Sequence, residues 1–242
     1  MAVSSAAHTP QWIPARGKVL RRTVAVRSSA DSGHLRLTTL LLDLGGVVVP
    51  TLFEVIDDPT FPAGPFGADE LYAGVENGRL QERDYWAALA KARPDLNIRH
   101  FMQTRLNVRG EIRALLGEVE SRIKIAALTN DMAHWFGSEW PLKFSELSRF
   151  DLLLEAAGSG VLKPDPAVFR WALSALHERA GRCLFVDDLP SNLAGARAVG
   201  MEVEHFAVGD PAGSVKRILE RFGIYDSRDA PPRMYRPTRL EL

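Results

Sequence analysis

The sequence predicts an α/β protein, a doubly wound parallel sheet with a small α-helical cap inserted into it. Three observations predict that class. Short apolar runs recur without polar alternation, as in strands buried on both faces. Helical segments separate these runs, and strands alternating with helices make parallel crossovers. Polar residues close three of the runs, at the strand ends where such sheets open their ligand crevice.

The first run, TTLLLDLGGVVV (38–49), is read as a buried strand interrupted by Asp43. IKIAALTN (123–130), FDLLLEA (150–156), CLFVDD (183–188) and MEVEHFAV (201–208) follow as four further buried strands. WPLKFSELSRF (140–150), PAVFRWALSALHERAG (166–181), SNLAGARAVG (191–200) and SVKRILERFG (214–223) are read as helices. Pro166 suits a first helical turn, Ser191 or Asn192 suits an N-cap, and Gly200 suits a stop. Between 52 and 116 the alternation gives way to ADELYAGVENGRL, QERDYWAALAKA and IRHFMQTRL, each with apolar residues near three- and four-residue spacing. This segment is expected as a helical cap over the strand ends, entered through the flexible stretch FPAGPFGA (61–68). The α/β core is then expected over 37–51 and 117–225.

Apolar residues make up 46% and charged residues 25% of the 242, the balance of an ordinary globular protein. Thirty basic residues face thirty acidic ones, which argues against nucleic acid or a membrane surface as the main partner. No apolar run approaches the length of a membrane span. Residues 1–36 carry six basic side chains and one acidic, a formal +5. They read as a disordered extension, with an organelle transit peptide as the alternative; 226–242, rich in proline, read as a tail. The single cysteine, Cys183, excludes an internal disulfide and indicates a reducing, cytoplasmic compartment unless the leader directs the chain to an organelle.

An unpaired carboxylate in a buried run is costly, so Asp43 needs either a partner or a task. Taken alone, beside Gly45 and Gly46, it reads equally as a turn aspartate. Two further strands deliver Thr129-Asn130 and Asp187-Asp188 to the same edge. The six histidines show no metal-ligand spacing. Trp135, Trp140, Phe144 and Trp171 read as packing, and Glu76, Arg79 and Trp86 as solvated or cap-core positions.

Asp43-Leu44-Gly45-Gly46-Val47, LTN at 128–130, Lys163 in GVLKPDPAVF, and VDD at 186–188 followed by SNLAGARAVGM together resemble the four motifs of the haloacid-dehalogenase-like hydrolase superfamily. YAGVENGRLQERDYWAAL resembles the small helical (C1) cap of subfamily IA, in the group holding the epoxide-hydrolase amino-terminal phosphatase domain and sugar-phosphatase-like members. The resemblance implies a Mg²⁺-dependent phosphatase acting on a small phosphorylated metabolite. Asp43 would be the nucleophile, forming an aspartyl phosphate. Asp43, Asp188 and the Gly45 carbonyl would hold Mg²⁺, with Asp187 beside them orienting a water or Lys163. Thr129, Asn130 and Lys163 would bind the phosphoryl oxygens, Lys163 also serving the reaction as a positive charge beside the nucleophile.

The pattern departs from that superfamily at Gly45. Its phosphatases usually carry an aspartate there, which protonates the leaving group, a contribution of ~10²–10⁴-fold. Without it, turnover should depend steeply on leaving-group pKa unless a group outside these motifs, such as one from the cap, supplies the proton. A dehalogenase-like hydrolase and a catalytically weak binding module are the alternatives.

Overall fold

A computed structural model describes residues 36–224; the predicted extension and the 226–242 tail lie outside the described residues, apart from Arg36. Five parallel strands form one sheet in the order β3-β2-β1-β4-β5: β1 Thr39–Leu42, β2 Lys124–Thr129, β3 Leu152–Glu155, β4 Cys183–Asp187 and β5 Glu202–His205. β1 is central, its Leu41 standing between Ala126 of β2 and Phe185 of β4. The chain winds outward from β1 in both directions, so the topological switch lies at the carboxyl end of β1.

Alternation along the strands divides the core. Leu40, Leu42, Ile125, Ala127, Leu184 and Val186 point to one face. There they meet α5 (Gly110–Val119) and α10 (Pro211–Arg221) through Leu115, Val119 and Ile218. Leu41, Ala126, Leu128, Cys183 and Phe185 point to the other face, covered by α8 (Pro166–Leu176) and α9 (Pro190–Arg197). Both faces being covered explains why the strands read as continuous apolar runs.

The expected cap segment, 52–116, holds α1 (Leu52–Val55), α2 (Glu70–Glu76), α3 (Glu82–Ala92), α4 (Ile98–Arg105) and the first turns of α5. Phe53 lies 4.9 Å from Tyr72 and 4.8 Å from Trp86, ring centre to ring centre, making the aromatic centre of this layer. Trp86 is buried there.

Several elements differ from the sequence reading. The first strand ends at Leu42 rather than running to Val49, because Gly46 turns the chain with φ +74°. Val47, Val48 and Val49 are buried, but in the loop that follows. β5 is an edge strand with Glu202 and His205 exposed, so it is not a buried strand; Arg221 and Arg217 pair with its Glu202 and Glu204. The stretch 140–150 splits into α7 (Trp140–Lys143), after α6 (Met132–Phe136), and a 3₁₀ turn from Ser145, parted by an extended Phe144. α9 begins at Pro190 with Leu189 as N-cap, since proline takes the first helical position and Asn192 is turned to Asp187. Pro166 opens α8, and Gly200 stops the chain after α9 at φ +84°.

One ion pair fixes the loop after β1. The Arg109 guanidinium donates to both Glu54 carboxylate oxygens at 2.6 and 2.7 Å, to the Gly46 carbonyl at 2.9 Å and to the Val47 carbonyl at 3.1 Å. Glu54 also accepts from the Thr51 N–H at 2.7 Å. Arg109→Ala strands the Glu54 carboxylate and two carbonyls at once, and is expected to cost about 3–5 kcal/mol in urea unfolding. A loss within ~0.5 kcal/mol, the range of an ordinary surface substitution, would show that the loop holds without it.

Candidate active site

The sheet topology assembles the predicted residues from separate segments. Asp43 follows β1, its N–H donating to the Val186 carbonyl at 2.9 Å. Asp187 ends β4, Asp188 follows it, and Thr129 ends β2. Lys163 arrives on the loop before α8, where its N–H donates to Asn130 Oδ1 at 2.8 Å. Its carbonyl accepts from Asn130 Nδ2 at 3.2 Å and from Gln81 Nε2, at the start of α3, at 3.1 Å.

The Lys163 ammonium is buried between two carboxylates, 2.7 Å from Asp43 Oδ1 and 2.8 Å from Asp187 Oδ2. Burial opposes its charge, yet Asp187 and Asp43 outweigh that and hold it above the ordinary lysine range. Burial pushes the Asp43 carboxyl up to about 7, with Lys163 opposing and Asp187 adding to the rise. Asp187 is fully buried and saturated. Besides Lys163, it accepts from Asn192 Nδ2 at 3.0 Å on both oxygens and from the Leu189 N–H at 2.9 Å.

Asp188 is placed differently. Its carboxylate lies against Gly46, where a β-carbon would fall 2.3 Å from Oδ2, so only glycine leaves room for it. Among the described residues no cationic side chain pairs with it. Burial, then the charges of Asp187 and Asp43, raise its carboxyl well above the usual range. Carboxylate oxygens of Asp43, Asp187 and Asp188 lie within 4.8 Å of one another. One ammonium against three carboxylates leaves an excess of negative charge, and an all-oxygen donor set suits a hard divalent cation. The residues therefore fit a metal ion.

Asp43, Gly45, Thr129, Asn130 and Lys163 line one cavity beneath α3 and α4. Asn130 is engaged on the Lys163 backbone, which makes it the brace of that loop. A β-carbon on Gly45 would meet nothing within 4 Å, so the place of the usual second aspartate is open space. Trp135, expected as packing, lines the cavity with Phe136, whereas Glu76 and Arg79 do not. Trp140 is buried and donates to Glu155 at 3.2 Å, and Phe144 is buried too.

Sequence reasoning missed Gln81, Glu82 and Asp131, which also line the cavity. Asp131 directly follows the LTN motif, a positional signal that could have found it. Gln81 and Glu82 open a helix whose polar residues read as solvent-facing, and nothing in their spacing marks them.

A five-stranded parallel sheet thus carries an acidic cluster at the carboxyl ends of β1 and β4. The haloacid dehalogenase-like hydrolase family matches residues 37–200, and the chain belongs to it. It is 35% identical over 74 residues to bifunctional epoxide hydrolase 2 of Rattus norvegicus, covering 30% of this chain and 13% of that protein. It is 32% identical over 103 residues to acyl-CoA dehydrogenase family member 10 of Mus musculus, covering 42% of this chain and 9% of that protein. The chain thus spans only about a tenth of the length of these relatives. Among solved structures, a provisionally assigned phosphoglycolate phosphatase from Lactobacillus plantarum superposes with TM-score 0.54 at 18% identity, covering 78% of this chain and 100% of that one. A haloacid dehalogenase-like family hydrolase from Xanthomonas campestris gives 0.50 at 14% identity, covering 78% and 97%. At these identities the likeness shows the fold. No helix among the described residues is long and apolar enough to cross a membrane.

Because the raised Asp188 carboxyl opposes folding once ionised, its penalty is absent below about pH 4 and grows as pH rises toward its folded pKa. Asp188→Asn should therefore raise the melting temperature of chelator-treated protein at pH 8 by about 2–4 °C, the equivalent of ~1 kcal/mol. The gain should shrink at pH 5 and reverse when Mg²⁺ is added. A lower melting temperature in chelator would show that Asp188 is already compensated without a cation.

Proposed function

We propose that this hydrolase is a Mg²⁺-dependent phosphatase that acts on a small phosphorylated metabolite through an aspartyl phosphate on Asp43. The observation that carries the reading is the Asp43 carboxylate held 2.7 Å from Lys163, within 4.8 Å of Asp187 and Asp188. Asp43, Asp188 and the Gly45 carbonyl would hold Mg²⁺, and when bound it would neutralise charge between the nucleophile and an anionic phosphoryl group.

The chain's own residues account for the rest. Lys163 fixes the Asp43 rotamer and presents a positive charge to the transferring phosphoryl group. Asp187 keeps that lysine protonated and pointed at Asp43. The Thr129 hydroxyl contacts a phosphoryl oxygen, and Asn130 holds the lysine loop. Asp43 attacks phosphorus, the ester oxygen departs, and water then hydrolyses the acyl phosphate to release inorganic phosphate and restore the carboxylate. The segment 52–116 acts as the cap that closes this cavity, and no nucleic-acid or membrane partner is required. A reducing, cytoplasmic setting suits the single buried cysteine.

A dehalogenase would share the aspartate nucleophile but has no use for the acidic excess around it. Purified protein should release phosphate from phosphomonoesters in Mg²⁺, lose that activity in chelator, and lose at least ~10³-fold in kcat with Asp43→Asn. Phosphate release unchanged in chelator would remove the Mg²⁺ requirement from the reading, and halide release from a 2-haloacid without phosphate release from any ester would favour the dehalogenase one. Binding of phosphorylated ligands without turnover would favour a binding module.

A further inference from the structure

Resting on the phosphatase reading above, we propose that Glu82, at the first turn of α3, is the catalytic acid–base that replaces the aspartate missing at Gly45. Three geometric facts carry it. Glu82 lines the same cavity as Asp43, Gly45, Thr129 and Lys163. The space in front of Gly45 is open, with no atom within 4 Å of a β-carbon placed there, so this position carries no donor of its own. Its neighbour Gln81 is tied to the catalytic loop, donating to the Lys163 carbonyl at 3.1 Å and accepting from Asn130 at 3.1 Å. That tie fixes the start of α3 against the active site.

The surroundings of Glu82 suit a proton donor. One oxygen, Oε1, accepts from Trp86 Nε1 at 3.0 Å, which orients the carboxyl and leaves Oε2 for the proton. Among the described residues no cation forms an ion pair with it. Burial raises its carboxyl to about 7, partly offset by the Trp86 bond; Asp131 and Asp187 add to the rise and Lys163 opposes it. Arg83, its neighbour on α3, is committed to Asp131 at 3.9 Å. Asp188, Tyr72 and Tyr85 also face it, with no further positive charge among them. Near neutrality such a group holds a proton and can release one, as acid–base catalysis requires.

The step balances. As the bond from Asp43 to phosphorus forms and the ester P–O bond breaks, the Glu82 proton passes to the departing oxygen, giving a neutral alcohol and the Glu82 carboxylate. That carboxylate then takes a proton from the water attacking the aspartyl phosphate, releasing phosphate and regenerating both groups.

The test compares alkyl and aryl phosphates on the full-length protein in Mg²⁺. Glu82→Gln keeps the acceptor for Trp86 and removes the proton. It should lower kcat/KM, which reports the step that expels the leaving group, by ~10²-fold or more for alkyl esters and by less than ~10-fold for aryl esters, whose leaving groups need no proton. In that background Gly45→Asp, for which there is space, should recover alkyl turnover. The unmodified protein offers an independent reading: kcat for alkyl esters should fall as pH rises through about 7, and kcat for aryl esters should not. Equal losses on both ester classes, or unchanged alkyl turnover, would overturn the role of Glu82 while leaving the phosphatase reading intact. An alkyl pH profile that matches the aryl one would do the same even if Glu82→Gln failed to fold. Absence of phosphate release from every ester by the unmodified protein would overturn both.

Discussion

The contact between Lys163 and the two aspartates Asp43 and Asp187 is the constraint around which this molecule is built. A buried ammonium is tolerated only when its charge is matched and its protons are placed, and removing one partner strands the others. Here the match requires the ends of β1 and β4 to stand side by side, with the loop before α8 folded back over them. Parallel pairing of β1 with β4, Leu42 beside Val186, supplies the first condition. Asn130, at the end of β2, supplies the second by gripping both the N–H and the carbonyl of Lys163. The ion pair thus ties three strands to one loop, and its misplacement by an ångström would undo the site before it undid the fold.

The same accounting explains the neighbouring glycine. Asp188 can approach Asp43 only because Gly46 has no β-carbon, and Gly46 can hold φ +74° without strain. The turn would still be loose if it depended on glycine alone. Arg109 anchors it from behind through the carbonyls of Gly46 and Val47, so the loop after β1 is fixed on one side by an ion pair and on the other by the site's own charges. What remains unmatched is negative charge at Asp188, and that residue of charge is the physical argument for a cation.

Much of this was legible in the sequence. The strands that form the sheet's interior read as apolar runs because both faces are covered; Asp43, Asp187 and Asp188 stood out because charge beside such runs needs a reason, and Lys163 through the motif it shares with the superfamily. Legibility failed where local pattern and tertiary context diverge. Val47–Val49 look like a strand but are buried as a loop, because a glycine turn precedes them. The 140–150 stretch has helical composition but is broken at Phe144. Asn192 has the chemistry of an N-cap but is spent on Asp187. Arg109 and Glu54 lie 55 positions apart, and no spacing rule links them. Glu82 reads as one more charged residue on an amphipathic helix, and only the docking of α3 brings it to the cavity.

That last difference bears on how the chemistry is controlled. An acid two residues after the nucleophile belongs to the core and is present in every state of the protein. An acid on α3, if the proposed cap moves over the core, would be present only while α3 is seated. The contact of α3 with the core is a hydrogen-bond triangle of Gln81, Asn130 and the Lys163 carbonyl, made at the same loop that carries the Lys163 ammonium. On the proposed mechanism, proton delivery and positioning of Lys163 would be two consequences of one contact, and a displaced α3 would lose the donor at the moment when competing water enters. With Gly45 leaving its space open, the proposed mechanism takes the acid from outside the core, and protonation of the leaving group would then be conditional on closure over the substrate.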